Sequence, residues 1–327
     1  MPETMDAWVQ NAYGPAAAIH RAERPTPVPS KGQVLLKVRA IALNAGDVRI
    51  MQGDPMLVRP VFGFARPRQP IRGMDVAGTV VALGPGADAV RVGDEVVVEL
   101  PGGGGLAEYA VAPAARLVPR PSSVSPRDAA CLPIAAGTAR QALDAAGIAA
   151  GGRVLVIAAS GGVGTFAVQL AASVGAEVHA TCAARNAASI GRLGATTVLD
   201  RDQPLRELPA GSYDAVIDIA GTAPLRDLQR LIVDGGRVVL VSGQGGRVLG
   251  PVGRMLRAAV LSVGSRRRIR PLSAVAKPEM LRELLALVEA GTISPLIEAE
   301  YPFDEAGAAL ARVEAGHVVG KIVVHGV

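Results

Sequence analysis

A glycine-rich turn near the middle of the chain carries the residues whose spacing points most directly to chemistry. It stands between an apolar run of strand type, Arg153–Ala158, and a helix-forming segment, Thr165–Val174. Gly161 has no side chain to hold a pyrophosphate away from the backbone, and Gly164 allows the helix to pack closely on the strand. The N–H groups of the first helical turn would then face the phosphates. A plain turn of a βα unit is the alternative, but this context predicts a dinucleotide site formed by Ser160, Gly161, Gly162, Val163 and Gly164.

The end of the following strand indicates which dinucleotide is bound. An NAD-dependent protein would place Asp or Glu there, about 20 residues past the glycines, to hold the ribose 2′-hydroxyl. The segment Thr181–Asn186 contains no acid. Thr181 can hydrogen-bond a 2′-phosphate, and Arg185 can form a fork with it, although Arg185 could also be a solvated helix start. We therefore predict NADPH as the cofactor, mainly from the missing acid.

Composition restricts the class of protein. A length of 327 residues predicts two domains, and 50% hydrophobic residues suffice for sizeable cores. Two cysteines, Cys131 and Cys182, provide neither a disulfide framework nor a zinc ribbon. The diffuse formal charge of +5 does not indicate a nucleic-acid partner. Because Met1–Asp6 lacks signal-peptide features and the Ser160–Gly162 break argues against a membrane span, we expect a cytoplasmic protein.

The first third of the chain has the pattern of a β-rich, partly open barrel. Its predicted strands are bounded by Gly and Pro and cover Val34–Ala40, Gly78–Gly84, Val90–Val98 and Ala107–Val111. From Ser125, a predicted helix N-cap, helices and strands alternate, which predicts a doubly wound parallel sheet with its ligand at the carboxyl ends of the strands. The six predicted strands are Arg153–Ala158, Glu177–Thr181, Thr196–Leu199, Tyr213–Ile219, Gly236–Val241 and Ala259–Val263. Two further helices, Pro278–Ala290 and Phe303–Ala315, and a strand at Lys321–Val324 close the chain.

This order of parts resembles the medium-chain dehydrogenase/reductase superfamily, and within it the zinc-free quinone oxidoreductase branch, the zeta-crystallin-like enzymes. The stretches that carry the resemblance are Asn44–Asp47, Gly73–Gly78, Ala159–Gly164, Tyr213–Asp218 and Gly320–Val324. The resemblance implies an α/β fold in which a doubly wound parallel Rossmann sheet is inserted into a β-rich, partly open barrel (GroES-like) domain. We expect the GroES-like substrate domain at 1–122 and 271–327, and the Rossmann domain at 123–270. It also implies a homodimer, with Val260–Val263 as a candidate interface edge.

Two positions argue against catalytic zinc. Zinc-dependent members of the superfamily take ligands from a Cys and from a Gly-His-Glu stretch, where this chain has Asn44-Ala45-Gly46-Asp47, with no thiol, and Gly73-Met74-Asp75. Met74 cannot replace an imidazole as a zinc ligand. Without a metal to stabilise an alkoxide, alcohol oxidation is disfavoured, whereas hydride transfer to an enone or quinone needs only a donor for the enolate oxygen. We therefore expect an NADPH-dependent, zinc-independent reductase of quinones or α,β-unsaturated carbonyl compounds.

The resemblance also implies the remaining site residues. Asn44 and Asp47 occupy positions that line the family's nicotinamide and substrate cleft, although both residue types also stabilise turns. Arg49 stands where the branch usually has an aromatic residue, which hints at an anionic substrate. Thr138 matches a position near the nicotinamide but could be a helix cap. The other expected cofactor-binding residues are Arg201, Ala220, Gly221, Ser242, Gly243 and Lys321.

Two alternative functions stay open on the sequence alone. The chain could be an NADPH-binding protein with little turnover, in a crystallin-like or RNA-binding role. It could instead be a tailoring reductase of a biosynthetic pathway, with the loop Met56–Gln69 shaping a pocket for a larger substrate. The basic run Arg266–Arg270 could grip an anionic substrate tail or RNA, but such runs are typical of a solvated edge.

Overall fold

A computed structural model describes residues 1–242 and 247–326 of the chain. It divides into two compact units, Met1–Gly137 with Ala276–Val327, and Thr138–Val275. Both boundaries lie further along the chain than the expected 122/123 and 270/271. The first moves because helix α3 (Pro126–Ala130) and a π-helical turn over Leu132–Ala136 pack against strands of the first unit. Ser125 caps α3 as expected, accepting a hydrogen bond from Asp128 N.

The first unit is built on a seven-stranded sheet and a separate two-stranded one. The hairpin strands β1 and β2 pair antiparallel, while the large sheet has the order β14-β15-β3-β4-β5-β7, with β6 pairing on β3. The strands are β1 (Thr4–Val9), β2 (His20–Pro25), β3 (Gln33–Leu43), β4 (Asp75–Leu83), β5 (Glu95–Glu99), β6 (Tyr109–Pro113), β7 (Val118–Pro119), β14 (Ile297–Pro302) and β15 (Lys321–His325). Strand β15, near the end of the chain, pairs with β3, so residues more than 270 positions apart in the sequence are neighbours in the large sheet.

This unit also contains the helices α1 (Ala45–Gln52), α2 (Arg59–Phe62), α9 (Pro278–Glu289) and α10 (Ala306–Glu314). An apolar core joins α1 and α10 to the sheet. The core combines inward-facing residues of the strands, such as Val38 and Val76, with α1 and with Leu310 of α10. Helix α1 begins directly after β3, so the end of a buried strand delivers Asn44 and Asp47 to one place.

The second unit has the predicted doubly wound sheet. Its order β10-β9-β8-β11-β12-β13 is parallel throughout, with the order reversal beside β8. The strands are β8 (Arg153–Ile157), β9 (Glu177–Cys182), β10 (Thr197–Asp200), β11 (Tyr213–Asp218), β12 (Ile232–Leu240) and β13 (Arg268–Pro271). The helices are α4 (Gly137–Ala146), α5 (Gly162–Ser173), α6 (Ala187–Arg192), α7 (Leu225–Leu231) and α8 (Val252–Ser262).

One predicted strand is wrong. Ala259–Val263 lies at the end of helix α8, not in the sheet, so Val260–Val263 is no strand edge. The place beside β12 is taken by β13, in which Ile269 is buried between exposed Arg268 and Arg270. In the sequence, the arginines around Ile269 do not look like a strand. The apolar residues of α8 do, although Leu256 and Val260 are 64% and 72% exposed. β-propensity alone therefore misplaced the sixth strand.

Candidate functional site

The glycine turn, Ala158–Gly164, joins β8 to α5 at the carboxyl end of the sheet. Gly161 is the N-cap of α5 with φ −78° and ψ 173°. A methyl group on Gly164 would lie 2.4 Å from Ala158 O and 2.7 Å from the carbonyl carbon of Ala159, so only glycine fits there. A methyl group on Gly161 would meet nothing closer than Ala158 O at 3.7 Å. The open face at Gly161 and the N–H groups of the first turn of α5 suit a pyrophosphate.

Thr181 holds the beginning of the turn. Ala158 has a φ of +64°, a left-handed conformation that is unusual for a residue with a side chain. Its N–H donates to Thr181 Oγ1 at 3.2 Å, and the N–H of Ala159 donates to Thr181 O at 2.9 Å. Thr181 is only 5% exposed. The structure thus gives the Thr181 hydroxyl a partner inside the unit, whereas the sequence predicted contact with a 2′-phosphate.

The two arginines predicted to hold a 2′-phosphate lie after neighbouring strands. Arg185 is exposed in a 3₁₀ turn over Ala184–Asn186, directly after β9. Arg201 is also exposed, and its backbone N–H donates to Cys182 O at 2.9 Å, which ties the end of β10 to the end of β9. Arg201 has an acidic neighbour, Asp202, at 3.7 Å. Both arginines therefore follow neighbouring strand ends at the same edge of the sheet, and Arg201 has a carboxylate beside it.

The other cofactor-binding candidates of this unit follow strand ends or begin helices. Thr138 is half-buried in the first turn of α4, and Ser242 is half-buried after β12. After β11, Gly221 is buried and donates its N–H to Asp218 Oδ1 at 3.0 Å, beside half-buried Ala220. Asp218 is fully buried and pairs with Arg254 at 2.8 Å, and burial raises the pKa of its carboxyl. Gly243 lies outside the described residues.

In the first unit, the structure gathers Asn44, Asp47, Asp75 and Lys321 into one buried polar cluster. Lys321 Nζ donates to Asn44 Oδ1 at 2.6 Å. Asn44 Nδ2 in turn donates to Asp75 Oδ2 at 2.9 Å and to Ala42 O at 3.3 Å. Because an ammonium group can only donate, the Asn44 atom that faces Lys321 must be its oxygen, and this fixes the orientation of the Asn44 amide.

Asp47 ties this cluster to the loop before β4. Its carboxylate accepts from Asn44 N at 2.9 Å and from Gly73 N at 3.0 Å, so it closes the first turn of α1. It is 1% exposed, and burial raises the pKa of its carboxyl while these two N–H groups and nearby Arg72 oppose the rise. This arrangement agrees with the turn-stabilising alternative for Asp47.

Asp75 and Lys321 are an acid and a base of the cluster, and both side chains are buried. Asp75 is fully buried, Lys321 is 2% exposed, and the Lys321 Nζ to Asp75 Oδ2 distance is 3.9 Å. Burial raises the pKa of Asp75 to about 8, although Lys321 and Asn44 both act to lower it. Asp75 can therefore carry a proton near neutral pH, next to an amide whose orientation is fixed.

Sequence reasoning missed two members of this region. Asp75 and Arg72 are not among the predicted site residues, although an acid and a base that flank Gly73-Met74 are a signal visible in the sequence. Arg72 is 1% exposed and its Nη2 donates to Gln69 O. Arg49, predicted as catalytic, is exposed on α1.

The donor chemistry of the first unit does not favour a transition metal. Asn44 and Met74 offer an amide and a thioether, and the Asn44 amide is already hydrogen-bonded at both ends. Within residues 1–242 and 247–326, no group of three or more His, Cys, Asp or Glu side chains is arranged to hold a metal ion. In the same ranges, no helix has the length and apolar character needed to cross a membrane.

Two family models match the chain. Residues 30–122 match the alcohol dehydrogenase GroES-like domain, and residues 193–324 match the zinc-binding dehydrogenase family. The first match covers the strands and helix that carry Asn44, Asp47 and Asp75, and the second includes Lys321. Residues 193–324 contain no cysteine and a single histidine, His317.

Comparison with whole proteins gives matches over nearly the full chain. A chloroplast envelope quinone oxidoreductase homolog of Arabidopsis thaliana is 37% identical, with 98% of each chain covered. A chloroplastic NADPH-dependent alkenal/one oxidoreductase of the same plant is 31% identical, covering 99% of this chain and 80% of the relative. Among solved structures, the quinone oxidoreductase from Coxiella burnetii superposes with a TM-score of 0.86 at 29% identity, covering 98% of this chain and 99% of that one.

Proposed function

The chain belongs to the medium-chain dehydrogenase/reductase family, and from this membership we propose that it is an NADPH-dependent, zinc-independent reductase of quinones or α,β-unsaturated carbonyl compounds. The observation that carries the proposal is the full-length similarity to relatives named quinone oxidoreductase and alkenal/one oxidoreductase. The expected GroES-like and Rossmann-type architecture is confirmed by the family matches and the solved neighbour.

The glycine turn supports a bound dinucleotide, because Gly161 leaves the backbone open and Gly164 admits no side chain. When bound, NADPH supplies the hydride. Arg185 and Arg201 support the 2′-phosphate form, since both lie at the edge formed by the ends of β9 and β10 and no acid follows β9 before Asn186. Asn44, held in place by Lys321 and Asp75, is the polar residue that we assign to the lining of the nicotinamide and substrate cleft.

Zinc independence is supported by the donor set, since the positions of the two family ligands hold Asn44 and Met74. We expect elemental analysis of the purified protein to find no stoichiometric zinc, and a chelator to leave turnover intact. One tightly held zinc per chain would overturn this part of the proposal.

The central experiment is NADPH oxidation followed at its near-ultraviolet absorbance with a panel of quinones, enones and saturated ketones. We expect turnover with the conjugated acceptors and none with the saturated ketones. NADH in place of NADPH serves as the cofactor control, and should support much weaker binding. Turnover with saturated ketones alone would contradict the proposal, because an alkoxide would then have to be stabilised without the conjugated system.

A binding role with little turnover, crystallin-like or RNA-binding, is the second candidate, and a tailoring reductase on a larger substrate is the third. NADPH binding without turnover across the panel, together with RNA retention at physiological salt, would favour the second. Turnover only with bulky enones would favour the third. A cytoplasmic location and a homodimer also stay predictions, and sedimentation of the purified protein tests the dimer.

A further inference from the structure

A cavity of about 880 Å³ lies in the first unit, between the loop 63–71 and the surface formed by β1, β2 and β6. We call it the arginine cavity, because Arg24, Arg66 and Arg68 all line it. None of the residues of the buried polar cluster is among its lining residues. Its volume lies within the roughly 300–1,000 Å³ that is usual for sites of small organic ligands.

The charge of this cavity has one sign. Its lining includes three arginines and no Asp or Glu. No ion pair involves Arg24, Arg66 or Arg68 within the described ranges, and the buried Nε of Arg24 has no hydrogen-bond partner there. Elsewhere in this unit, Arg21, Arg120 and Arg127 each pair with a carboxylate. Guanidinium groups left without a counter-ion around one cavity favour a carboxylate, sulfonate or phosphate ligand.

A buried amide adds a second requirement. Gln10 lines the cavity and is 1% exposed. Its Nε2 donates to Ala12 O at 2.9 Å and to Met51 O at 3.0 Å, which fixes the orientation of the amide. Its Oε1 is therefore an acceptor, and that atom is buried without a donor in the described structure. A ligand that carries an O–H or N–H group can satisfy it.

The remaining lining is largely apolar and includes Met5, Ile71, Tyr109 and Val111. Phe64, at the start of the loop, is 71% exposed although it is a large aromatic side chain. An aromatic or other apolar ligand body would cover part of its surface. We propose that the arginine cavity binds an amphipathic organic anion: an aromatic body with one carboxylate or sulfonate for the arginines and one hydrogen-bond donor for Gln10. The inference does not depend on the proposed reductase function.

The test uses a matched pair of fluorescent probes. The dye 1-anilinonaphthalene-8-sulfonate combines a sulfonate, an aromatic body and an N–H group, and N-phenyl-1-naphthylamine is the same molecule without the sulfonate. Both are titrated into protein saturated with NADPH. The variant Arg66→Gln/Arg68→Gln removes two exposed guanidinium groups from the cavity. Its control, Arg39→Gln/Arg91→Gln, removes two exposed arginines of the same unit that lie outside the cavity lining.

We expect the first variant to weaken binding of the sulfonate dye by about tenfold and to leave the uncharged dye unchanged. The control variant should bind both dyes as the wild type does. In displacement, 6-hydroxy-2-naphthoate should compete a few-fold better than 2-naphthoate, because only its hydroxyl can donate to Gln10. The proposal is overturned if the sulfonate dye does not bind to the NADPH-saturated protein, if both variants weaken its binding equally, or if the two naphthoates compete equally.

Discussion

The buried polar cluster of the first unit contains ionisable side chains, whereas the glycine turn of the second unit contains none. In the cluster, the ionisable side chains of Lys321 and Asp75 are removed from water, and Asn44 links them by hydrogen bonds. The turn has no ionisable side chain, and it offers backbone N–H groups at a helix start, with arginines exposed at the neighbouring strand ends. Substitutions in the cluster should therefore change stability and its pH dependence, whereas substitutions around the turn should change cofactor affinity.

The largest effect is expected for Lys321→Met. The variant removes the donor to Asn44 and the ammonium group that lies 3.9 Å from fully buried Asp75. Near pH 9, above the raised pKa of Asp75, the pair is ionised, and breaking a buried ion pair on one side costs about 3–5 kcal/mol, so urea unfolding at this pH should show a loss of this size. Lys31→Met, at an exposed lysine of the same unit, is the control. Adding Asp75→Asn to Lys321→Met should recover part of the loss. If Lys321→Met is as stable as the wild type, the buried polar cluster does not control stability in the way proposed here.

A pair of glycine variants tests the turn. Gly164→Ala places a methyl group 2.4 Å from Ala158 O, and such overpacking costs about 1–3 kcal/mol in unfolding free energy. Gly161→Ala meets no protein atom closer than 3.7 Å, so its stability should stay within about 1 kcal/mol of the wild type. Its affinity for NADPH should nevertheless fall, because the methyl group faces the space left for the pyrophosphate. Equal stability loss in both variants would show that the turn is packed on both sides.

The two regions also differ in how far the sequence predicts them. The glycine turn depends on residues within one βα unit, so local pattern suffices, and the parallel sheet follows from repeated units of this kind. The cluster depends on pairing β15 with β3, which brings Lys321 to Asn44 across most of the chain. No local sequence pattern predicts that contact, and Asn44 and Lys321 were predicted as site residues from the family resemblance alone. The misplaced strand at Ala259–Val263 shows the same limit, because the sheet edge was decided by Ile269 packing and not by β-propensity.

Arg185→Ala tests whether Arg185 contacts the 2′-phosphate of NADPH. A charge-assisted contact to a 2′-phosphate is worth about 1.5–3 kcal/mol, so NADPH binding should weaken by roughly ten- to a hundredfold. NADH binding and unfolding free energy should hardly change, because Arg185 is exposed. Fluorescence titration with both cofactors measures the difference. An equal loss for NADH and NADPH would mean that Arg185 does not contact the 2′-phosphate.

Asp75 of the cluster should contribute to the pH dependence of stability. The folded-state pKa of Asp75 is raised to about 8 by burial, above the value of about 4 for an unfolded chain. Between these values the folded state binds the extra proton, so stability that is present at low pH is lost as the pH rises. Asp75→Asn cannot ionise and should flatten this fall by at most about 1.4 kcal/mol per pH unit. Asp88→Asn, at an exposed carboxyl, should leave the slope unchanged. Parallel slopes for wild type and Asp75→Asn would show that Asp75 does not retain its proton.

The smallest effect is expected for Arg201→Ala. Arg201 is exposed at the end of β10, beside the strand end that carries Arg185, and Asp202 lies 3.7 Å away. A solvated guanidinium that shares its charge with a neighbouring carboxylate contributes less than about 1 kcal/mol, so NADPH affinity should fall by only a few-fold. The loss of NADPH affinity should be smaller in high salt, because salt ions screen the interaction between exposed charges. Asp202→Asn is the matched variant, because freeing Arg201 from its acidic neighbour should strengthen NADPH binding slightly. Fluorescence titration at low and high salt measures the NADPH affinity of the wild type, Arg201→Ala and Asp202→Asn. A loss in Arg201→Ala as large as that in Arg185→Ala would place the 2′-phosphate between β9 and β10, and not at the 3₁₀ turn after β9.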